Sequence, residues 1–380
     1  WLSWLMLLLA TGIIGLAAMR IRGLVGMLIA VVCLGLNPLV LGTAVLAKPY
    51  ALCLLLISGG LFMISSRDRR RMAAGFCLLG FAVGVRVSVG LPLLALVFAH
   101  RRTHLREALL GCGIGLGLAL YPSLGLPWVV LWENWVGAHL GDGGVGIERL
   151  HWIGWQIGFC GFFLTSFWSK RAESLPGLRW AAVLGVVIHL VPGALHIEHA
   201  VVMMPLMVLA VADRWGDRLE LKSVSIGLVL VGLSFASGLR WVHLDSDTRT
   251  VHQTMELGRW VAERTDPNLP LLTTHLAVAV EADRSVCAGL EMGGFGWAPE
   301  MDDRRAVALH RLNPVGLERC LSGPLGGVLV GERDLDTDNR EKTLKAAGRR
   351  FSVQRTESDY GQFAQRLDVF VPQRGVFWTE

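Results

Sequence analysis

Residues 44–65 read AVLAKPYALCLLLISGGLFMIS, residues 66–71 read SRDRRR, and residues 72–99 read MAAGFCLLGFAVGVRVSVGLPLLALVFA. An apolar run, a burst of arginine and a second apolar run broken near Arg86 and Pro92 are the pattern of a chain that crosses hydrocarbon, turns in water and crosses back. About 20 apolar residues suffice for one crossing, somewhat fewer where glycine and interfacial anchors shorten the helix. The reading of 72–99 decides the topology. As a single kinked element it puts the basic clusters at 67–71 and 101–106 on opposite faces of a membrane; as two helices it puts both on one face. Short loops on the cytoplasmic side collect Lys and Arg, so two crossings are predicted.

Working outward on the same ruler gives about ten segments, at 1–19, 23–36, 44–65, 72–86, 89–99, 107–122, 151–168, 180–195, 199–213 and 223–241. Fifteen Lys and Arg fall in one set of alternate loops, and only Lys48, Arg86, Arg149 and Arg240 fall in the other. That asymmetry makes the basic set cytoplasmic and places Trp1, the loop 123–150 and everything after 244 outside. Tryptophans such as Trp152, Trp168, Trp180 and Trp241 sit near segment ends, as an aromatic belt requires. Trp128, Trp132 and Trp135, at helical spacing in an outside loop, read either as anchors or as an interfacial helix sheltering a lipid substrate.

Composition agrees with this pattern. The 380 residues are 53% hydrophobic and 18% charged, against roughly 45–50% and 25% in soluble domains, and the mean hydropathy is +0.49. An ordinary water-soluble enzyme is excluded. Residues 1–244 carry a net charge of +9 and residues 245–380 a net of −4, so the overall +5 marks a membrane protein, with the lipid bilayer and no nucleic acid as partner. Two domains are expected: a transmembrane domain at 1–243 and an extracytoplasmic α/β domain at 244–380. In the latter, 251–265, 304–321 (broken at Pro314) and 340–350 read as helices. The stretches 269–273, 327–330, 351–354 and 367–371 read as strands of a partly parallel sheet. Cys287 and Cys320 lie in this domain and pair if the compartment is oxidising. The chain starts with Trp1 and not Met, without the basic n-region or cleavage site of a signal peptide, and is expected to be truncated or processed at its N-terminus.

No soluble-enzyme motif survives its context. Gly111, Gly113, Gly115 and Gly117 lie inside an apolar helix and follow no strand, so close helix packing explains them better than a nucleotide loop. His196 and His199 lack the i, i+4 spacing of a helical zinc motif, and no metal is expected. The informative groups stand at the outer membrane edge: Lys48, Arg86, His196, Glu198, His199 and Arg240. Each has a bland reading, as a snorkelling cation or a helix cap, but together they bring cationic and titratable groups to one face, which suits a phosphate or diphosphate on a lipid. Among outside acids, Glu133 beside Asn134, flanked by Trp132 and Trp135, is the leading candidate for a general base.

The run Ala47-Lys48-Pro49-Tyr50-Ala51-Leu52, then the arginines of 67–71, then Gly80-Phe81-Ala82-Val83-Gly84-Val85-Arg86 and Leu91-Pro92 resembles the GT-C superfamily of membrane glycosyltransferases. The likeness is to its protein-mannosyltransferase-like group, glycosyltransferase family 39 and the bacterial lipopolysaccharide-core enzymes. The resemblance implies a polytopic α-helical enzyme of a bacterial inner membrane that moves a sugar from a polyprenyl-phosphate donor to a glycolipid, polysaccharide or protein acceptor on the extracytoplasmic face. No cofactor is implied beyond that lipid-linked donor. Lys48 and Tyr50 take the places of the family's Arg-Pro-Tyr run and Arg86 that of its helix-end arginine. Lys replaces Arg at 48, Leu46 stands where an acid is frequent, and the first-loop catalytic acid has no counterpart, so the catalytic residue is unassigned and the stretch is expected to be inactive by itself. The alternatives from other classes are a transporter or flippase of lipid-linked saccharides, which calls for charges at the bilayer midplane, and a non-catalytic scaffold.

Overall fold

The computed structural model describes residues 2–43, 49–66, 68–125, 128, 132, 161–167, 173–190, 197–215, 250–360 and 365–372. The chain divides into two compact units, Trp1–His243 and Leu244–Glu380.

The first unit is helical. Helix α1, Leu2–Gly35, leaves helical dihedrals at Arg22 and at Gly23, whose φ of +70° only glycine adopts without cost. Its two halves fold back on each other there: Gly15 faces Val31 and Met27, Gly26 faces Ala18, and Gly35 faces Thr11. Asn37 then caps α2 (Pro38–Thr43), its side-chain oxygen accepting from the amides of Leu39 and Val40, with Pro38 at the first helical position. Helix α3 runs Tyr50–Ile64, and α4, Arg69–Val85, is capped by Asp68, which accepts from the Arg71 amide at 2.9 Å.

Arg86 turns extended and ends α4; a 3₁₀ turn, Val87–Val89, leads into α5 (Gly90–Ala99), and α6 covers Leu105–Leu120. The stretch 72–99 is therefore two helices. Helices α4 and α6 lie parallel with their backbones in contact, because glycine faces them: a Cβ on Gly111 would stand 2.3 Å from the Ala73 carbonyl, one on Gly115 1.9 Å from that of Cys77, and one on Gly80 2.6 Å from that of Cys112. Beyond them come α7 (Leu178–Leu190), a 3₁₀ turn at Ile197–Met203 and α8 (Met204–Trp215).

Helices α3 and α4 bury large side chains, among them Tyr50, Leu54, Ile57, Leu61, Phe76 and Leu79, and α1 buries Leu7, Ile14 and Leu34; on α6 and much of α1, small residues face inward and leucines outward. On α6, Ala108, Gly111 and Gly115 are buried while Leu105, Leu109, Leu110, Ile114 and Leu118 face outward, the last at 58% exposure. On α1, Ala10, Gly15, Ala17, Ala18, Gly26 and Ala30 are inside and Leu2, Leu5, Leu8, Leu16, Leu24 and Leu28 outside.

The basic turns gather at one end of the bundle. Arg20 donates to the Phe62 carbonyl beside the α3–α4 turn, Arg69 at the start of α4 stands 3.8 Å from Glu107 at the start of α6, and Arg22 pairs with Asp213 at the end of α8.

About ten membrane-crossing helices were expected, and the described residues do not support that number. One helix, Leu2–Gly35, has the length and apolarity to cross a bilayer, and it is folded in two. The others of this unit run from 6 residues in α2 to 17 in α4, because Asn37-Pro38, Pro49, Arg86 and Gly90 cut long apolar stretches into shorter helices. The 223–241 segment lies outside the described residues, as does most of 151–168, of which residues 161–167 form a 3₁₀ helix.

The second unit is α/β, as its residue pattern predicts. It comprises α9 (Thr250–Ala262), β1 (Leu271–Thr273), α10 (Leu276–Glu281), α11 (Asp303–Ala308), α12 (Pro314–Ser322), β2 (Gly327–Gly331), α13 (Thr337–Arg350), β3 (Val353–Tyr360) and β4 (Gln365–Val371). The sheet order is β1-β2-β4-β3, with β1 and β2 parallel and the other pairs antiparallel. Asp302, Asn313 and Asp336 cap the three helices that follow them, and β2 is buried on both faces, which is why it reads as an unbroken apolar run. Cys287 and Cys320 form a disulfide, which on loop-closure grounds contributes about 3–4 kcal/mol.

The glycine contacts of α6 make a paired prediction. Gly111 and Gly115 meet backbone, whereas Gly113 and Gly117 have open space around them. Gly115→Ala should lower the unfolding midpoint in detergent, at a cost of about 1–3 kcal/mol for overpacking, while Gly113→Ala should hold or raise it by the helix-propensity gain of up to about 1 kcal/mol. Equal effects at both positions would contradict the packing.

Candidate functional site

Two residues singled out in the sequence, Arg86 at the outer edge and Tyr50 through the family resemblance, are brought together. Tyr50 opens α3, where Pro49 pre-sets the helix start, and is fully buried. Arg86 closes α4, where the chain turns extended, and its guanidinium lies over the Tyr50 ring, 4.7 Å from the centroid. A cation on an aromatic face in a partly desolvated site is worth about 0.5–2 kcal/mol, and it leaves the planar edge and N–H donors of the guanidinium available. Among the described residues no carboxylate pairs with Arg86.

Other elements close on the same end. The 3₁₀ turn Val87–Val89 packs against α7, and the turn Ile197–Met203, which carries Glu198 and His199 in its backbone, packs against α2, α3 and α7. The Met203 side chain fits over Gly185 of α7, where a Cβ would stand 2.6 Å from its sulfur. Thus the segments bearing Tyr50, Arg86, Glu198 and His199 meet at the bundle end opposite the basic turns. Lys48, Glu133, His196 and Arg240 lie outside the described residues. Of the outside tryptophans, Trp128 and Trp132 stack with ring centroids 6.4 Å apart, both exposed; Trp135 is outside the described residues. Among the described residues no group of three His, Cys, Asp or Glu side chains is placed to hold a metal.

Two constellations escaped the sequence reading. In the α/β unit, His275 and Asp334 follow the carboxyl ends of the parallel strands β1 and β2, and His275 Nε2 stands 3.0 Å from Asp334 Oδ2. Asp334 also accepts from the Gly331 amide at 2.6 Å. The Tyr360 ring meets His275 edge-on at 5.3 Å, and its hydroxyl lies 3.0 Å from Thr254 Oγ1. Burial pushes the Asp334 carboxyl up, but the His275 ring, the Gly331 amide and Thr274 outweigh it and hold the group below its ordinary value. The signal was present as polar residues directly after two predicted strands, Thr273-Thr274-His275 and Asp334, which is where open α/β sheets place their working groups. The second constellation is an ionic cluster at the basic end, built on Arg22, Glu173, Arg179, Asp213 and Arg214. Its arginines register in the sequence only as loop charge.

The chain matches no protein-family model, no characterised protein and no solved structure.

The depressed Asp334 carboxyl makes stability depend on pH with a definite sign. A carboxyl held lower in the folded state contributes stability that is present above its unfolded value, near 3.9, and is lost as pH falls through the folded one. Amide protection of residues 328–330 should therefore drop as pH falls from about 5 to below 4, and Asp334→Asn should flatten that part of the profile. An unchanged profile in the variant would contradict the pairing.

Proposed function

We propose that the protein is a membrane glycosyltransferase that takes a sugar from a polyprenyl-phosphate donor and passes it to a glycolipid, polysaccharide or protein acceptor on the extracytoplasmic side. The observation that carries this reading is Arg86, a guanidinium braced on the buried Tyr50 and without a carboxylate partner among the described residues. It is a cation held ready for an anion, at the end of the bundle away from the basic turns.

The membrane setting rests on the outward leucines of α1 and α6. In water, outward leucines above buried glycine and alanine form an aggregating surface; in lipid, small residues pack helices together and leucine faces the acyl chains. Helices α3, α4 and α6, of 15–17 residues, rise about 23–26 Å. The few ångströms missing from a 30 Å core are what local thinning and snorkelling flanks absorb. The gathered arginines of 20–22, 69–71 and 101–106 set that end in the cytoplasm by the positive-inside rule, and the Cys287–Cys320 disulfide suits an α/β unit in an oxidising compartment. We read the chain accordingly as a polytopic protein of a bacterial inner membrane, related to the GT-C group its Lys48-Pro49-Tyr50 and Arg86 runs resemble.

In this reading Arg86, with Lys48, takes the donor phosphate and stabilises the charge that grows on it as the sugar C1–O bond breaks. The acceptor oxygen attacks C1, its proton passes to a general base, and the polyprenyl phosphate leaves. Tyr50 positions Arg86. The turn that carries Glu198 and His199 borders the same end, and Glu133 is the carboxylate nearest in sequence to the aromatic cluster. A transporter is less favoured because the described ionic groups of α4, α7 and α8 stand at helix ends and not midway along them.

Transfer from a synthetic polyprenyl-phosphate sugar in proteoliposomes tests this. Arg86→Ala should lower kcat/KM by about 10²-fold, with Arg86→Lys intermediate because it keeps the charge and loses the fork. Wild-type rates in Arg86→Ala, or no transfer from any such donor by the wild type, would contradict the reading.

A further inference from the structure

Among the described residues, Arg214 at the end of α8 is the one arginine whose guanidinium is fully buried with no hydrogen-bond partner on any of its three nitrogens. Carboxylates are close by, but none accepts a hydrogen bond from it, and both are engaged by other donors. Asp213, 1% exposed, receives Arg22 Nε and Nη2 at 3.0 Å on one oxygen and the Ser174 amide at 2.9 Å on the other. Glu173 receives Arg179 Nε on one oxygen and the Gly177 amide at 2.9 Å on the other. Arg214 reaches only the edge of this arrangement, its Nη2 3.9 Å from Glu173 Oε1.

Among the described residues the cluster thus holds three guanidinium groups against two carboxylates, one positive charge in excess, and the most buried of the three is Arg214. An arginine does not shed its proton to escape this, and a buried charge without a partner is costly. Five N–H donors in a rigid fork remain to be filled.

We propose that Arg214, with Arg179 and Arg22 at its more exposed margin, forms a binding site for a phosphoryl group at the basic end of the helical unit. The fork geometry of Arg matches phosphate oxygens two at a time. A phosphodiester carries one negative charge, equal to the excess. Arg20, Arg69, Arg70, Arg71, Arg101 and Arg102 crowd the same end and raise the local concentration of anions. The ligand is therefore the headgroup phosphate of an anionic phospholipid or a small phosphate-bearing anion. This site is separate from the Tyr50–Arg86 end and does not depend on the transferase reading; only its lipid form draws on the membrane setting.

The test uses the whole protein in a phosphate-free nonionic detergent, titrated separately with phosphatidylglycerol and with inorganic phosphate, and read by native mass spectrometry and by the unfolding midpoint. Wild type should retain one ligand and gain thermal stability; Arg214→Met should bind about ten- to a hundredfold more weakly, the loss expected for a charge-assisted hydrogen bond. Arg304→Met, which removes an exposed arginine of the α/β unit, should bind as wild type. Retention of phosphatidylglycerol but not phosphate identifies a lipid site; retention of phosphate identifies a small-anion site. Without ligand, Arg214→Met should be the more stable protein, and with ligand the less stable one. If Arg214→Met does not fold, Arg214→Lys, which keeps the charge without the fork, should still weaken binding. No binding of either probe by wild type, or equal binding by the Arg214 variants, would overturn the proposal.

Discussion

The helical unit depends on backbone meeting backbone. Gly111 and Gly115 of α6 lie against the carbonyls of Ala73 and Cys77 at distances no side chain would allow, and Gly60 and Gly75 join α3 to α4 in the same way. Packing of this kind wins dispersion contacts between backbones, alongside a core of larger side chains such as Tyr50, Leu54, Ile57, Phe76 and Leu79. In the proposed membrane setting the leucines that α1 and α6 turn outward would face acyl chains.

Ions follow the same division. The described charged groups of the helices collect at the two ends of the bundle, and the ends differ. One carries a crowd of arginines tied partly to Glu107, Asp213 and Glu173; the other carries Arg86 on Tyr50, with no carboxylate partner among the described residues. A chain sorted in this way has two anion-seeking ends with different reach. The proposed transferase chemistry belongs to the sparse end, where Arg86 has no acid partner among the described residues, and the proposed phosphoryl site to the crowded one, where Arg214 makes no hydrogen bond among them.

Much of this was legible in the residues, unevenly and for physical reasons. Arginine between apolar runs marks turns because charge is excluded from hydrocarbon, so the splits at Arg22 and Arg86 were readable. Helix lengths were not: an apolar run reads the same whether it forms one helix or is cut by Pro49, Asn37-Pro38 or Gly90, and the described residues do not support the ten crossings expected. In the α/β unit, β2 and β4 announced themselves through runs of Val and Leu, whereas the length of β3 was hidden by its charged, half-exposed residues Arg355, Glu357 and Asp359. Tyr50 and Arg86 were singled out separately, and their contact was not foreseen. That contact, the His275–Asp334 pair and the Arg22–Asp213 pair join residues far apart in sequence, which no local pattern encodes.

The account stands on lipid being the solvent of the outward leucines. Labelling of the protein in its native membrane with a lipid-soluble carbene precursor, followed by mass-spectrometric mapping, tests this directly. The prediction is modification concentrated on the outward positions of α1 and α6, among them Leu8, Leu109 and Leu118, with the glycine-lined faces and the whole of residues 250–372 unlabelled. Labelling of those leucines by a water-soluble reagent instead, with none from the lipid phase, would contradict it.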